Sequence, residues 1–158
     1  MSPEELLSLG FSKELVVLII STLPIFELRL ALPVAINLLH LPWYHALPLA
    51  VMGNLLPVPI ILLALEPITR RLNKTAFFNR FFNWLFSHAR RRGRIVERYE
   101  QVGLVLLVAI PLPFTGAWTG SVVASLFGLR FKRAFVSILI GICIAGLIVT
   151  CLSLSAEL

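Results

Sequence analysis

Acidic residues are scarce in this sequence, and aspartate is absent altogether. The chain has 8 acidic residues against 14 lysines and arginines, and charged residues of both signs make up only 14% of its 158 positions. Hydrophobic residues make up 58%, and the mean hydropathy is +0.92. A soluble domain of this length could not bury so much apolar surface. The sequence therefore predicts an all-α integral membrane protein.

Residues that commonly carry catalysis or metal chemistry are also sparse. Cys143 and Cys151 lie in one apolar run without a CxxC spacing or nearby histidines, so we expect no disulfide and no metal site. The sequence has no Ser/His/Asp grouping and no phosphate-binding glycine loop. We therefore expect neither an enzyme nor an ATP-driven pump, and no cofactor. The acidic start lacks the positive charge of a secretory signal, which predicts that the first hydrophobic segment is retained.

Four apolar stretches are long enough to cross a bilayer, because about 20 helical residues span its hydrocarbon core. They are 15–41, 46–65, 102–129 and 134–154. Pro24 interrupts the first stretch, and Pro111 and Pro113 interrupt the third. Proline breaks helices and leaves arms of roughly 9–14 residues, which are too short to cross. The alternatives are four single crossings, or two re-entrant hairpins that are each followed by one crossing.

The basic residues favour the hairpins. Nine of the 14 lie in the linker 66–100 and three in the loop 130–133, which leaves Lys13 and Arg29. Four single crossings would put the linker and the loop on opposite faces. Two hairpins put both on the cytoplasmic face, as the positive-inside rule favours. We therefore predict re-entrant hairpins in an inner-membrane, multi-pass protein.

The same layout predicts an internal repeat within one membrane domain, 1–158. A shift of 87 residues aligns Pro24 with Pro111, and Gly53 comes within one residue of Gly141. The first repeat would be 12–65 and the second 101–154, each a hairpin plus one transmembrane helix. One crossing per half makes the two repeats inverted, as in many secondary transporters. The alternative is that two hydrophobic halves align by composition alone.

The linker between the repeats predicts an amphipathic helix. Phenylalanines and Leu85 follow one helical face of residues 75–88, as in helices that lie in the membrane interface. The basic run 90–94 sets the topology or attracts anionic lipid headgroups. Because this run sits between membrane segments, we expect no nucleic acid partner.

Charged side chains enter the first apolar stretch at Glu27 and Arg29, between Pro24 and Pro33. Pro24 suits the first position of the returning arm, which places both charges near free backbone N–H groups. Arginine suits an anion, and glutamate can exchange a proton. The pair is therefore a candidate site for an anionic substrate and a proton. The alternative is a structural ion pair that ties the hairpin to its neighbours.

The second tip, 111–121, is uncharged. Gly116 and Gly120 are four apart and permit close helix packing. Thr115 and Thr119 would line a polar path, or bond to their own backbone. Asn54 is an amide at membrane depth that needs a partner, and we expect it at a substrate or ion site with the hairpin tips.

Three blocks carry a family resemblance: "PIFELRLALPVAI" (24–36), "GNLLPVPI" (53–60) and "PLPFTGAWTGSVVA" (111–124). They resemble the small multi-drug export protein family, over nearly the whole chain from about residue 12. That family is similar to the DedA superfamily, which is built from inverted repeats with re-entrant hairpins. The resemblance implies transport or flipping of an anionic lipid carrier such as undecaprenyl phosphate, and Glu27 matches the acidic position. DedA proteins carry an arginine in the second hairpin, where this chain has Thr115, Gly116 and Thr119.

We therefore expect a transporter or lipid flippase that contacts membrane lipids, with protons or cations as coupling ions. Alternatives are a small multidrug exporter and a membrane scaffold that does not transport. A chain of 158 residues offers little surface to enclose a path, so we expect a homodimer or larger assembly.

Overall fold

The computed structural model describes residues 10–72, 94–110 and 115–155, and every regular element in these ranges is helical. The all-α prediction is confirmed for this part of the chain. Its helices are α1 (Lys13–Thr22), α2 (Glu27–Pro33), a π-helical turn (Val34–Leu38), α3 (Trp43–Leu55), α4 (Pro57–Leu72), α5 (Arg94–Ala109), α6 (Ala117–Leu126) and α7 (Phe131–Ser155). The helix predicted at 75–88 lies outside the described residues, as do Pro111 and Pro113.

Residues 13–39 fold into a helical hairpin. Helix α1 ends at Thr22, where Leu23 becomes extended, and the turn that begins at Pro24 leads into α2. The two helices pack against each other. The two ends of the hairpin meet where Nζ of Lys13 donates a hydrogen bond to the carbonyl oxygen of Leu39 at 2.9 Å. That this hairpin enters and leaves one membrane face stays a prediction.

The base of the hairpin holds polar capping contacts, and the tip exposes apolar side chains. At the base, the Ser12 hydroxyl caps α1 by accepting a hydrogen bond from the backbone N–H of Leu15. Hydrogen bonds from its own backbone N–H and from Ser12 lower the pKa of Glu14 below its ordinary value. At the tip, Ile25 and Phe26 are exposed.

Helices α3 and α4 form one long helix in which Leu56 keeps α-helical backbone angles, and the break at this residue is an interruption of the hydrogen-bond ladder. Pro57 follows the break, and proline has no N–H to continue the hydrogen-bond ladder. Among the described residues, Trp43–Ala64 and α7 are the two helices long and apolar enough to cross a membrane. The first span covers all but the last residue of the predicted crossing 46–65, and α7 covers the predicted crossing 134–154.

The chain divides into two compact units. Met1–Leu56 with Ile142–Leu158 forms the first unit, and Pro57–Gly141 forms the second. In the first unit, α3 packs on both helices of the hairpin, around a core that includes Val17, Leu28 and Leu32. In the second unit, α6 packs on α4 and α5.

Element boundaries recur along the chain at a spacing of 87 or 88 residues. The pairs are the last residues of α1 and α5 (Thr22 and Ala109), the ends of the π-helical turn and α6 (Leu38 and Leu126), and the first residues of α3 and α7 (Trp43 and Phe131). Left-handed backbone recurs in the same way at His40 (φ 51°) and Gly128 (φ 64°). These spacings agree with the predicted repeat, whose inverted relation stays a prediction.

Candidate functional site

The first hairpin tip holds a buried carboxylate on a strained backbone. The N–H of Glu27 donates to the carbonyl oxygen of Leu23 at 2.9 Å, which closes one turn around Pro24. Glu27 then takes a positive φ of 48° and begins α2, so this helix starts three residues after Pro24. A left-handed conformation costs an L-residue roughly 1–2 kcal/mol. Because the side chain is only 5% exposed, this tip combines backbone strain with a buried charge, as functional sites often do.

Arg29 follows in the first turn of α2 and is half-buried. Glu27 and Arg29 each take part in at least one polar or electrostatic interaction. Helix α2 continues only to Pro33, which cannot donate to the carbonyl of Arg29, and the chain passes into the π-helical turn. Pro33 therefore lies within the returning arm rather than at the tip. The role of the charged pair, as a substrate site or a structural tie, stays a prediction.

Asn54 lies on α3, next to the break in the long helix, and is 3% exposed. Its Oδ1 atom is enclosed and accepts no hydrogen bond from any described residue. By helical spacing it shares a face of α3 with Leu47 and Val51, whose side chains pack over Gly146 of α7. The amide is therefore directed into the first unit, and its acceptor oxygen is left for a further donor or cation.

The backbone beside Asn54 has its own missing donor. In a continuous helix the carbonyl of Gly53 would accept from residue 57, but Pro57 has no N–H. The hydroxyl of Thr22 reaches this oxygen at 3.0 Å and the carbonyl oxygen of Leu18 at 2.8 Å, so its single proton is shared between the two acceptors. The first hairpin is thus bonded directly to the break.

A second enclosed polar atom in the first unit is the hydroxyl oxygen of Thr150 on α7. Thr150 is 4% exposed, and its Oγ1 has no hydrogen-bond partner within the described ranges. Two other buried hydroxyls on helices bond to the carbonyl four residues earlier, that of Ser121 to Ala117 and that of Ser153 to Val149. The hydroxyl of Thr150 departs from this pattern.

The second tip is closed by one of the predicted threonines. The Thr115 hydroxyl donates to the carbonyl oxygen of Ile110 at 3.0 Å, across the tip. Gly116 caps α6 with a φ of 140°, a conformation suited to glycine. It therefore precedes the helix and does not share its face with Gly120. Thr119 lies in the first turn of α6 and is half-buried.

Glycines of the two crossing helices make equivalent contacts in the two units. A Cβ on Gly53 would lie 2.6 Å from the carbonyl oxygen of Leu18 and would also collide with Ser21. A Cβ on Gly141 would lie 2.6 Å from Cβ of Val108 and 3.0 Å from the carbonyl oxygen of Val105. Leu18 and Val105 are 87 positions apart, as are Ser21 and Val108. Gly53 therefore packs closely on α1, and Gly141 packs closely on α5.

The predicted site residues are divided between the units. Glu27, Arg29 and Asn54 lie in the first unit, and Thr115 and Thr119 lie in the second. The sequence interpretation missed Thr22 and Thr150. The sequence does indicate a role for a donor such as Thr22, because Pro57 lies four residues after Gly53 and leaves the carbonyl of Gly53 without its helical N–H donor. Thr150 had none, since its sequence context is that of an ordinary helical threonine.

Comparison with known proteins identifies one family. A family model described as "Putative small multi-drug export protein" matches residues 27–148. No curated protein and no solved structure matches this chain. The matched range begins at Glu27 and includes Asn54 and both threonines of the second tip. The resemblance expected from the three sequence blocks is thus confirmed at the level of the family.

Proposed function

Because the chain belongs to the small multi-drug export protein family, we propose that it is an inner-membrane transporter that moves an anionic lipid carrier, such as undecaprenyl phosphate, or a small amphiphile. Proton exchange at Glu27 drives this movement. The observation that carries the proposal is the buried carboxylate of Glu27 on a left-handed backbone at the tip of a short helical hairpin. A buried carboxylate in a membrane protein is expensive to keep and is usually functional.

The polarity of the first hairpin supports its re-entry into the membrane. Its base carries the bonded Lys13 and the exposed Glu14, while Ile25 and Phe26 are exposed at the tip. Exposed apolar side chains are favourable in lipid and costly in water. The exposed Trp43 follows the base, as tryptophan does at membrane interfaces. In this arrangement the tip, with Glu27, sits at membrane depth.

The equivalent contacts of Gly53 and Gly141 support the repeat. In transporters built from inverted repeats, substrate sites lie near the midplane, where broken helices meet. In the first unit, the interrupted helix beside Asn54 and the tip of the first hairpin are the corresponding features. Arg29 offers a planar fork of donors that suits a phosphate headgroup. Glu27 gains and loses the proton.

The family description favours a second candidate, a small multidrug exporter. In that case the transported molecule is a lipophilic organic cation, and the carboxylate of Glu27 attracts it. The two candidates differ in the charge of the substrate. They therefore differ in what Arg29 does, because a guanidinium helps an anion and hinders a cation.

Reconstitution tests the proposal. Proteoliposomes with an imposed proton gradient are assayed for movement of undecaprenyl phosphate and of a cationic dye. We expect the wild type to move the lipid, Glu27→Gln to lose this activity, and Arg29→Ala to lose it while leaving any dye movement intact. Glu14→Gln, at the exposed base, is the matched control and should keep full activity. If folded wild-type protein moves neither probe, the chain does not transport these substrates, and the membrane scaffold becomes the better account.

A further inference from the structure

At the break in the long helix, two backbone carbonyl oxygens lack the N–H donor that a helix normally provides four residues later. Pro57 cannot donate to the carbonyl of Gly53, and Pro59 cannot donate to the carbonyl of Leu55. The hydroxyl of Thr22 is a side-chain donor for the carbonyl oxygen of Gly53. The Leu55 carbonyl therefore loses the donor that a continuous helix would give it, one residue away from Asn54.

Asn54 adds a side-chain oxygen at the same place. Its Oδ1 is enclosed and accepts no hydrogen bond within the described part of the chain, although the residue is 3% exposed. Leaving such an atom unpaired is unfavourable, because it has lost its hydrogen bonds to water without replacement. All the atoms concerned are acceptors, and they belong to three consecutive residues, 53 to 55, in the last turn of α3.

We infer that this break binds a monovalent metal cation, through Oδ1 of Asn54 and the carbonyl oxygen of Leu55, with sodium as the ion to test. Hard cations take amide and carbonyl oxygens. The two ligands are neutral, whereas calcium and magnesium sites in proteins rely on carboxylates. Carbonyls at the end of a broken helix are also where transporters hold coupling cations. The inference rests on the proposed transport function for the use of the ion, and on the break alone for its binding.

Ion-dependent thermal stability tests the binding without any transport. The full chain in lipid nanodiscs is unfolded in sodium chloride and in choline chloride at equal ionic strength. A ligand that binds the folded state raises the melting temperature with its concentration. We expect a saturable rise with sodium that choline does not give. Equal melting temperatures in the two salts overturn the inference.

Two variants locate the site, and a third is the control. Asn54→Leu removes the oxygen and keeps the volume, and should abolish the sodium effect. Pro59→Ala restores the N–H donor to the Leu55 carbonyl, and should raise the half-saturating sodium concentration about tenfold, the equivalent of about 1.4 kcal/mol. Thr150→Val removes another enclosed polar atom of the same unit and should leave the sodium effect unchanged. If Asn54→Leu does not fold, the Pro59→Ala and wild-type results decide.

The outcomes separate this inference from the proposed function. Sodium-dependent stability without lipid or dye movement in proteoliposomes supports the cation site and counts against transport. Movement driven by protons alone, with no sodium effect on stability, supports transport and overturns the site. A sodium effect that survives in both Asn54→Leu and Pro59→Ala places the ion elsewhere and also overturns it.

Discussion

The hydroxyl of Thr22 lies 3.0 Å from the carbonyl oxygen of Gly53, 31 residues later in the chain, and shares its proton between this oxygen and the carbonyl oxygen of Leu18 at 2.8 Å. Pro57 leaves this carbonyl without its helical donor. The corresponding positions of the second half, 87 or 88 residues on, are Ala109 and Ala145. The second half has neither the proline nor the hydroxyl. The side-chain donor is therefore found in the half whose backbone hydrogen-bond ladder is interrupted.

This relationship predicts that Thr22 and Pro57 are energetically coupled. Thr22→Val should lower the free energy of unfolding by about 1–3 kcal/mol, because a buried carbonyl loses its donor. Combined with Pro57→Ala, the same change should cost much less, since the substituted alanine supplies the missing N–H. Unfolding titrations of the two single variants and the double variant measure this coupling. Additive effects would show that Thr22 does not compensate for the proline.

Close packing at Gly53 and Gly141 predicts similar penalties in the two halves. A methyl group at either position meets atoms of the neighbouring helix at 2.6 Å. Gly53→Ala and Gly141→Ala should each lower the free energy of unfolding by about 1–3 kcal/mol. Met52→Ala, at an exposed position beside Gly53, is the control and should change it by less than about 0.5 kcal/mol. Unfolding curves in detergent test this, and a neutral Gly141→Ala would contradict the packing equivalence.

The backbone of Glu27 predicts a reversed preference between glycine and alanine. In a helix interior, alanine is more stable than glycine by about 1 kcal/mol. At a φ of 48° the order should invert, because glycine adopts this conformation without strain. Glu27→Gly should therefore be more stable than Glu27→Ala by roughly 1 kcal/mol, although both lack the carboxylate. Unfolding titrations measure the difference, and Leu30→Gly and Leu30→Ala, later in α2, give the ordinary order for comparison.

The accessibility of Cys143 to thiol reagents tests whether α7 crosses the bilayer. It lies at the centre of the 25-residue helix and is exposed on its surface. If α7 crosses the bilayer, a charged thiol reagent should not label Cys143 in native membranes, because the reagent does not enter the hydrocarbon core. A Cys151→Ala background isolates this residue, and Lys132→Cys at the exposed start of α7 is the positive control. Rapid labelling of native Cys143 by the charged reagent would show that it faces water.

The sequence predicted the elements whose signal is local. Composition gave the membrane class, and Pro24 marked the end of α1 within two residues. Pro24 did not mark the start of the returning helix, because the left-handed Glu27 delays α2 by three residues. A single sequence does not report such strain, which the surrounding structure imposes.

Contacts between helices could not be predicted from the sequence in the same way. The break at Leu56 follows from Pro57, yet its compensation by Thr22 depends on the packing of α1 against α3. Likewise, the orphaned oxygens of Asn54 and Thr150 become apparent only once neighbouring helices enclose them. The candidate site was therefore predicted as a set of polar residues at membrane depth, without the contacts that distinguish one from another.

The account depends most on the first hairpin entering and leaving the same membrane face. Single cysteines at Phe11, Pro42 and Lys132, in a Cys143→Ala, Cys151→Ala background, are labelled with a membrane-impermeant reagent in right-side-out and inverted vesicles. The hairpin predicts that Phe11→Cys and Pro42→Cys react from the same side, in keeping with the bond from Lys13 to Leu39, and that Lys132→Cys reacts from the other side. Reaction of Phe11→Cys and Pro42→Cys from opposite sides would make residues 15–41 a single crossing and contradict the account.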